Sequence, residues 1–201
     1  MTRNVHTKRL SSGKYIDLGN LTTDDIDLND INRALNYIYR FTGHFKDKEP
    51  LTVAQHLKLS DRIRSMIYPD DYVLELDVKI HDFPEAYTGD IATPLKYLFG
   101  PQFKDYEHGV ERVVYDKLWV INTPFTYEIY ENRKVCDLLA LDIERRNIWA
   151  DQKGKDQWPA IPLPTLFSQK ERKELFDWAQ SERHVNLIRM YDEAIEKNVN
   201  D

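Results

Sequence analysis

Tyr72-Val73-Leu74-Glu75-Leu76-Asp77-Val78-Lys79-Ile80-His81-Asp82-Phe83 is apolar on nearly every face of a helical wheel. Such a segment belongs in the middle of a protein rather than on its surface. A strand is the poorer reading at this length, and Asp70 or Asp71 stands where a side-chain N-cap is needed. Working outward, Thr52 and Gln55 form a capping-box pair, which predicts a helix from Thr52 to about Ile67. Before it, Ile31, Leu35 and Ile38 recur at helical spacing and end near Arg40, ahead of a turn through Gly43. The polar N-terminal arm has an extended pattern around Tyr15 to Leu18.

On the other side, Pro94 can open a helix through Lys96 and Leu98, and Val110, Val113, Val114 and Leu118 mark another from Tyr106 to Val120. Thr123 and Pro124 read as N-cap and first residue of a helix reaching Trp149. Residues 151–167, with Lys, Asp and three prolines, are expected to form an ordered surface loop anchored by Trp158. Ser168 and Glu171 repeat the capping box, and Leu175, Phe176, Trp178, Leu187, Ile188, Tyr191 and Ile195 mark one or two closing helices. The fold class is all-α, in one domain.

Composition narrows the function. A net charge of -6 with interspersed Lys and Arg disfavours a general grip on nucleic acid, whose affinity rests on neutralised phosphates. The longest apolar runs, such as Val135 to Leu141, fall far short of the ~20 residues of a membrane span, and the N-terminus carries no signal-peptide core. A single cysteine, Cys136, excludes an internal disulfide framework and reads as core packing. The expectation is a soluble cytoplasmic protein that takes a small molecule and binds neither nucleic acid nor membrane.

The chemistry gathers at the end of the buried helix. Adjacent His81 and Asp82 there are costly to bury, by several kcal/mol per ion, unless a partner or a cation offsets the loss of water. His56 shares a helical stripe with Leu59, Ile63 and Ile67 and should face inward. Asp137 interrupts the apolar run Val135-Cys136-Asp137-Leu138-Leu139 inside a long helix, where aspartate has poor propensity and no cap to make. Two imidazoles and two carboxylates suit a divalent metal with positions open to water and substrate. Spacing alone leaves hydrogen-bonded core residues as an equal alternative.

The pattern His56, His81-Asp82, Asp137 resembles the HD-domain superfamily of metal-dependent phosphohydrolases. His81-Asp82-x-x-Glu85-x-x-Thr88-Gly89-Asp90-x-x-Thr93-Pro94-x-Lys96 is similar to the bacterial HD-domain 5′-deoxynucleotidases. Arg40-Phe41-x-Gly43-His44 and Val53-Ala54-Gln55-His56, preceded by Asp27 to Leu35, look more like phage relatives that include dATP triphosphohydrolases. The resemblance spans roughly residues 10–150, and 151–201 would add a loop and closing helices to one HD-domain bundle. It implies that His56, His81, Asp82 and Asp137 hold a divalent ion (Mn, Co, Zn or Mg), and that Glu85 and Asp90 act on water or the leaving group. Pro84 can kink the helix there and alter the direction of Glu85.

By the same resemblance Arg40 contacts substrate phosphate. Phe41 stacks or packs, His44 contacts phosphate or merely turns the chain, and Lys96, ahead of Lys134, is a phosphate cation or an ion-pair partner. His6, His108 and His184 read as surface. The implied activity is hydrolysis of a deoxynucleotide at its α-phosphate, with a triphosphate such as dATP ahead of a monophosphate, by a homo-oligomer whose closing helices offer apolar faces. A non-catalytic nucleotide-binding protein is the rival class.

Overall fold

A computed structural model describes residues 5–149, 151, 153 and 166–200. Strands β1 (Thr7–Arg9) and β2 (Tyr15–Asp17) form an antiparallel hairpin with Lys8 opposite Ile16. Helices α1 (Leu28–Leu35), α2 (Val53–Ile67), α3 (Tyr72–Ile80), α4 (Glu85–Thr88) and α5 (Thr93–Phe99) follow. The longer α6 (Pro101–Leu118) and α7 (Tyr127–Ile148) come next, and α8 (Gln169–Gln180) and α9 (Leu187–Asn200) end the described chain. The all-α expectation holds. No helix among the described residues is long and apolar enough to cross a membrane.

Local chemistry explains most boundaries. Thr52 and Gln55 make the reciprocal capping box that starts α2, Asp71 accepts from the Leu74 N–H to start α3, and Ser168 with Glu171 caps α8. Three expectations need correction. Helix α1 stops at Leu35 rather than near Arg40, because the Asn36 side chain bonds the carbonyls of Asn32 (2.7 Å) and Val185 (2.9 Å) and accepts from the Val185 N–H (2.8 Å).

Helix α7 starts at Tyr127 on a Thr126 cap, not at Pro124. There the Thr123 carbonyl accepts from the Trp119 indole (3.0 Å), and Phe125 packs edge-on against Tyr115 and Trp119. Helix α3 ends at Ile80, and Pro84 introduces the separate short helix α4. Trp158 and nearly all of the 151–167 loop lie outside the described residues.

Helices α2 and α3 stand between two apolar clusters. Val53, Ala54, Leu57, Leu76 and Ile80 face one cluster, with Ile31 and Leu35 of α1, Val110 and Val114 of α6, and Leu187 and Tyr191 of α9. Leu59, Ile63, Leu74 and Val78 face the other, with Leu139, Ala140 and Ile143 of α7 and Phe176 of α8. Phe176 and Ala179 of α8 and Leu187, Tyr191 and Ala194 of α9 thus pack into the core, while Trp178 and Val199 remain exposed.

Buried polar side chains are also carried by α2 and α3: His56, Ser60 and Arg64 at i, i+4, i+8 on α2, and Glu75, Asp77 and Lys79 on α3. Glu75 is nearly inaccessible and gathers three cations: Lys79 at 2.5 Å, Lys197 of α9 at 2.8 Å and Arg64 at 3.0 Å. Arg64 also pairs with Asp61 at 2.8 Å. Burial would raise the Glu75 carboxyl, but the cations outweigh it and hold it below the usual range.

Removing Glu75 strands Arg64 and Lys79 in the core. Glu75→Ala is expected to cost about 3 kcal/mol in urea unfolding, the lower end for a broken buried pair because Asp61 remains. Lys197→Ala, at a half-exposed partner, should cost less than about 1 kcal/mol. Because the folded Glu75 value is depressed, its contribution is complete above the unfolded value of about 4.3 and disappears as pH falls through the folded value. The difference between wild type and Glu75→Ala should therefore shrink in acid.

Candidate metal centre

His56 lies on α2, one residue past the Gln55 that closes the capping box, and its ring is fully buried. His81 is the C-cap residue of α3, and Asp82 follows in the turn that ends it. One potential ligand atom from each of His56, His81 and Asp82 lies within 4.8 Å of the others. Asp137, reaching in from α7, brings Oδ1 to 3.1 Å from His56 Nε2, and Asp82 Oδ2 is 3.6 Å from the same nitrogen. Three of the four residues singled out in sequence, His56, His81 and Asp82, converge closely enough to share an ion, and Asp137 of α7 adjoins them through His56.

Whether this set suits a cation depends on where the imidazole protons go. His81 Nδ1 lies 2.9 Å from the Val78 carbonyl, which can only accept, so Nδ1 carries the proton and Nε2 is left bare. That Nε2 is buried with no hydrogen-bond partner. His56 Nδ1 is 2.9 Å from Glu144 Oε1, again an acceptor, so its Nε2 also turns toward the carboxylates. Two outward-anchored imidazoles with converging Nε2 atoms beside carboxylates are the arrangement of metal-binding histidines and their supporting acceptors.

Without an ion, protons and charges must balance locally. Burial and Arg40 would lower the His56 value, but Glu144 and Asp137 outweigh them and push it up to about 10. Burial opposes ionisation of Asp82 and of Asp137, yet the histidines and Arg40 keep both below the ordinary carboxylate range. A divalent cation would take the place of these protons.

Arg40 enters from the turn after α1. Its Nε donates to Glu144 Oε2 at 3.0 Å, and Nη1 is 3.5 Å from Asp82 Oδ2. The next two residues, Phe41 and Thr42, both have left-handed backbones at φ 56° and 55°. For non-glycine residues that costs about 1–2 kcal/mol each, a strain typical of a segment held for a purpose. The reversal sends Phe41 edge-on against Trp149, ring centroids 5.2 Å apart, while Arg40 points into the cluster. Phe41 thus packs here.

Glu85 opens α4, its N–H bonded to the Asp82 carbonyl at 3.0 Å, so Pro84 redirects the chain without removing Glu85 from the charges of the site. Its Oε2 is buried and unpaired. Burial first, then the charges of Asp82 and Asp90, raise its carboxyl well above the usual range. Burial likewise raises Asp90, against the pull of Arg40.

The outer residues divide. Lys96 is half-exposed and paired with Glu107 at 2.9 Å, though the charges of Glu85 and Asp82 act on it. Lys134 is exposed, 5.9 Å from the Tyr130 ring, and His44 is exposed at the end of its turn. His6, His108 and His184 are at the surface, and Cys136 is buried with its thiol pushed up to about 12 by burial, as a packing residue should be.

Sequence reasoning missed Glu144, fully buried between His56 and Arg40. A signal existed, since Glu144 stands seven residues past Asp137, on the same face of α7 and next to the apolar Ile143. It also missed Asp77 and Arg133, each one turn before a site residue and 3.3 Å apart, with the Tyr115 hydroxyl bonded to Asp77.

An all-helical protein with a buried His/His/Asp cluster able to coordinate a metal ion is the class that fold and geometry define. Over 163 residues, 78% of this chain and 81% of its relative, the sequence is 34% identical to the uncharacterized protein YfdR of Escherichia coli (strain K12), and it belongs to that protein's family. An uncharacterized protein of Rhodobacter capsulatus is 28% identical over 109 residues, 54% of this chain and 56% of its own length. No family model matches the chain.

If the cluster is a metal centre, titration calorimetry with Mn²⁺ or Zn²⁺ should show one tight site in the wild type. His81→Ala and Asp82→Ala should each lose more than the roughly 10–100-fold that altering a supporting residue costs. Their far-UV circular dichroism should stay helical. Unchanged metal affinity in both variants would show the cluster to be an ordinary buried ion network.

Proposed function

We propose that this protein is an HD-domain phosphohydrolase that cleaves a deoxynucleotide at its α-phosphorus and releases the deoxynucleoside. The observation that carries the reading is the pairing, beside one metal-competent cluster, of a guanidinium fit for phosphate with a buried carboxyl, Glu85, whose Oε2 has no hydrogen-bond partner. A divalent ion on His56, His81, Asp82 and Asp137 would supply Lewis-acid polarisation of the phosphoryl oxygens and a water of lowered pKa.

The chain's own groups do the rest. Arg40 keeps Nε on Glu144 and turns its remaining donors to the phosphate, a planar fork suited to two oxygens. Glu85, whose carboxyl burial and the charges of Asp82 and Asp90 push upward and so bias toward the neutral form, is the group placed to give a proton to the departing 5′ oxygen. Asp90 shares in that carboxyl pair.

The resemblance favours a triphosphate, dATP first, with 201 residues forming one catalytic domain and copies of the chain associating. One observation favours a second substrate, a deoxynucleoside monophosphate. Lys96 is committed to Glu107 and His44 stands in solvent, which leaves few cations for a longer phosphate tail.

The bond cleaved separates this chemistry from others. A deoxynucleoside triphosphate incubated in ¹⁸O-labelled water should yield deoxynucleoside plus intact triphosphate carrying the label, and a monophosphate should yield labelled phosphate. Pyrophosphate as the main product would overturn the assignment. Inert metal-loaded protein across all deoxynucleotides would favour the non-catalytic rival.

Glu85→Ala should retain the ion while turnover falls by about 10²–10⁴-fold, the usual contribution of a positioned acid or base. Metal analysis beside single-turnover rates checks this, and loss of the ion would make Glu85 a ligand instead.

A further inference from the structure

Glu144 is fully buried on α7 and spends its two oxygens on different parts of the site. Oε1 is 2.9 Å from His56 Nδ1, and Oε2 accepts from Arg40 Nε at 3.0 Å. Both partners present their other ends to the cluster: His56 Nε2 lies 3.1 Å from Asp137 Oδ1, and Arg40 Nη1 lies 3.5 Å from Asp82 Oδ2. An ionised carboxylate can only accept. It therefore keeps a His56 proton on Nδ1 and points Nε2 at Asp137 and Asp82, where a cation would replace the proton Nε2 shares with them. It also engages one edge of the guanidinium and leaves other N–H groups for an anion.

We infer that Glu144 is the positioning carboxylate that joins the two halves of the site, setting metal affinity through His56 and phosphate affinity through Arg40. The inference rests on the metal-dependent phosphohydrolase reading and adds to it a residue that touches neither the ion nor the substrate. Two local features support a dedicated role over a simple clasp. The bond to Arg40 sits directly beside the strained Phe41–Thr42 backbone, so the guanidinium is anchored where the chain is least relaxed. Glu144 also shares a helical face with Asp137, so α7 delivers both a candidate ligand and the support of another ligand on one rigid element.

The test separates the two oxygens. In Glu144→Gln the amide oxygen can still accept from His56 Nδ1–H, but the amide nitrogen cannot accept from Arg40. By calorimetry, Mn²⁺ affinity should fall about 10-fold, and affinity of the metal-loaded protein for inorganic phosphate about 10–100-fold. In an Arg40→Ala background the same change should still weaken Mn²⁺ binding and have no further effect on phosphate. That pattern of coupling is one a merely structural ion pair would not produce.

Unaltered Mn²⁺ and phosphate affinities in Glu144→Gln, with only a lower melting temperature, would overturn the inference. Should the variant not fold, long-range ¹H–¹⁵N spectra of wild-type protein loaded with Zn²⁺ decide. A proton on His56 Nδ1 is expected, and a proton-free Nδ1 would refute the role. Wild-type protein that takes up no metal removes both readings. Protein that binds metal and phosphate as described but hydrolyses no deoxynucleotide removes only the functional one.

Discussion

Two helices that each face an apolar cluster on either side must carry their remaining side chains somewhere, and in α2 and α3 that place is a polar seam inside the protein. His56, Ser60, Arg64, Glu75, Asp77, Lys79 and His81 all lie there, withdrawn from water. Removing an ion from water costs several kcal/mol even after relaxation, so every charge in the seam must meet an opposite charge or several hydrogen bonds. The architecture follows from meeting that demand. Helix α7 supplies Arg133, Asp137 and Glu144 to the seam, α6 supplies Tyr115, and α9 supplies Lys197.

The seam has two ends of different character. Around Glu75 the charges nearly satisfy one another, three cations on one carboxylate with Asp61 balancing Arg64. Around His81 they do so less well: His81 Nε2, 3.3 Å from Asp82 Oδ1, and Glu85 Oε2 are buried without a hydrogen bond, as are Asp77 Oδ2 and Arg133 Nε one turn before His81 and Asp137. Unsatisfied buried polar atoms are rare in folded proteins, and a concentration of them beside converging imidazoles marks where a missing partner would be held. Stability is made at one end of the seam and binding capacity at the other, on the same pair of helices.

The sequence revealed what depends on neighbours along the chain. Capping boxes at Thr52 and Ser168 specify their helices because both partners lie within one turn. The four candidate ligands were legible for a related reason, since a His or Asp inside an apolar run needs an explanation wherever it occurs. What the sequence concealed depends on partners far away. The end of α1 is decided by Asn36 binding Val185, 149 positions on, and Glu144 gains its meaning only when His56 and Arg40 arrive from 88 and 104 positions earlier. The start of α7 was misplaced because Thr123-Pro124 is a good local signal overruled by the packing of Phe125 and the indole bond of Trp119. Arg64, Glu75 and Lys79 escaped notice because their burial is tolerable only through mutual pairing across two helices and with Lys197 of a third, which no local pattern announces.

One contact at the start of α2 bears on how the centre comes into being. Gln55, the residue before His56, donates its side-chain amide to the Glu182 carbonyl at 3.0 Å, a partner 127 positions later, and Gln180 returns a bond to the Glu49 carbonyl at 2.9 Å. Such long-range contacts must meet a loop-closure cost before packing rewards them, so they depend on the rest of the chain already being in place. The platform that holds His56 is therefore completed by the segment after α8. During synthesis His56, His81 and Asp82 precede by about a hundred residues the segment whose carbonyls anchor Gln55, so the cluster's final geometry waits on residues made well after its own.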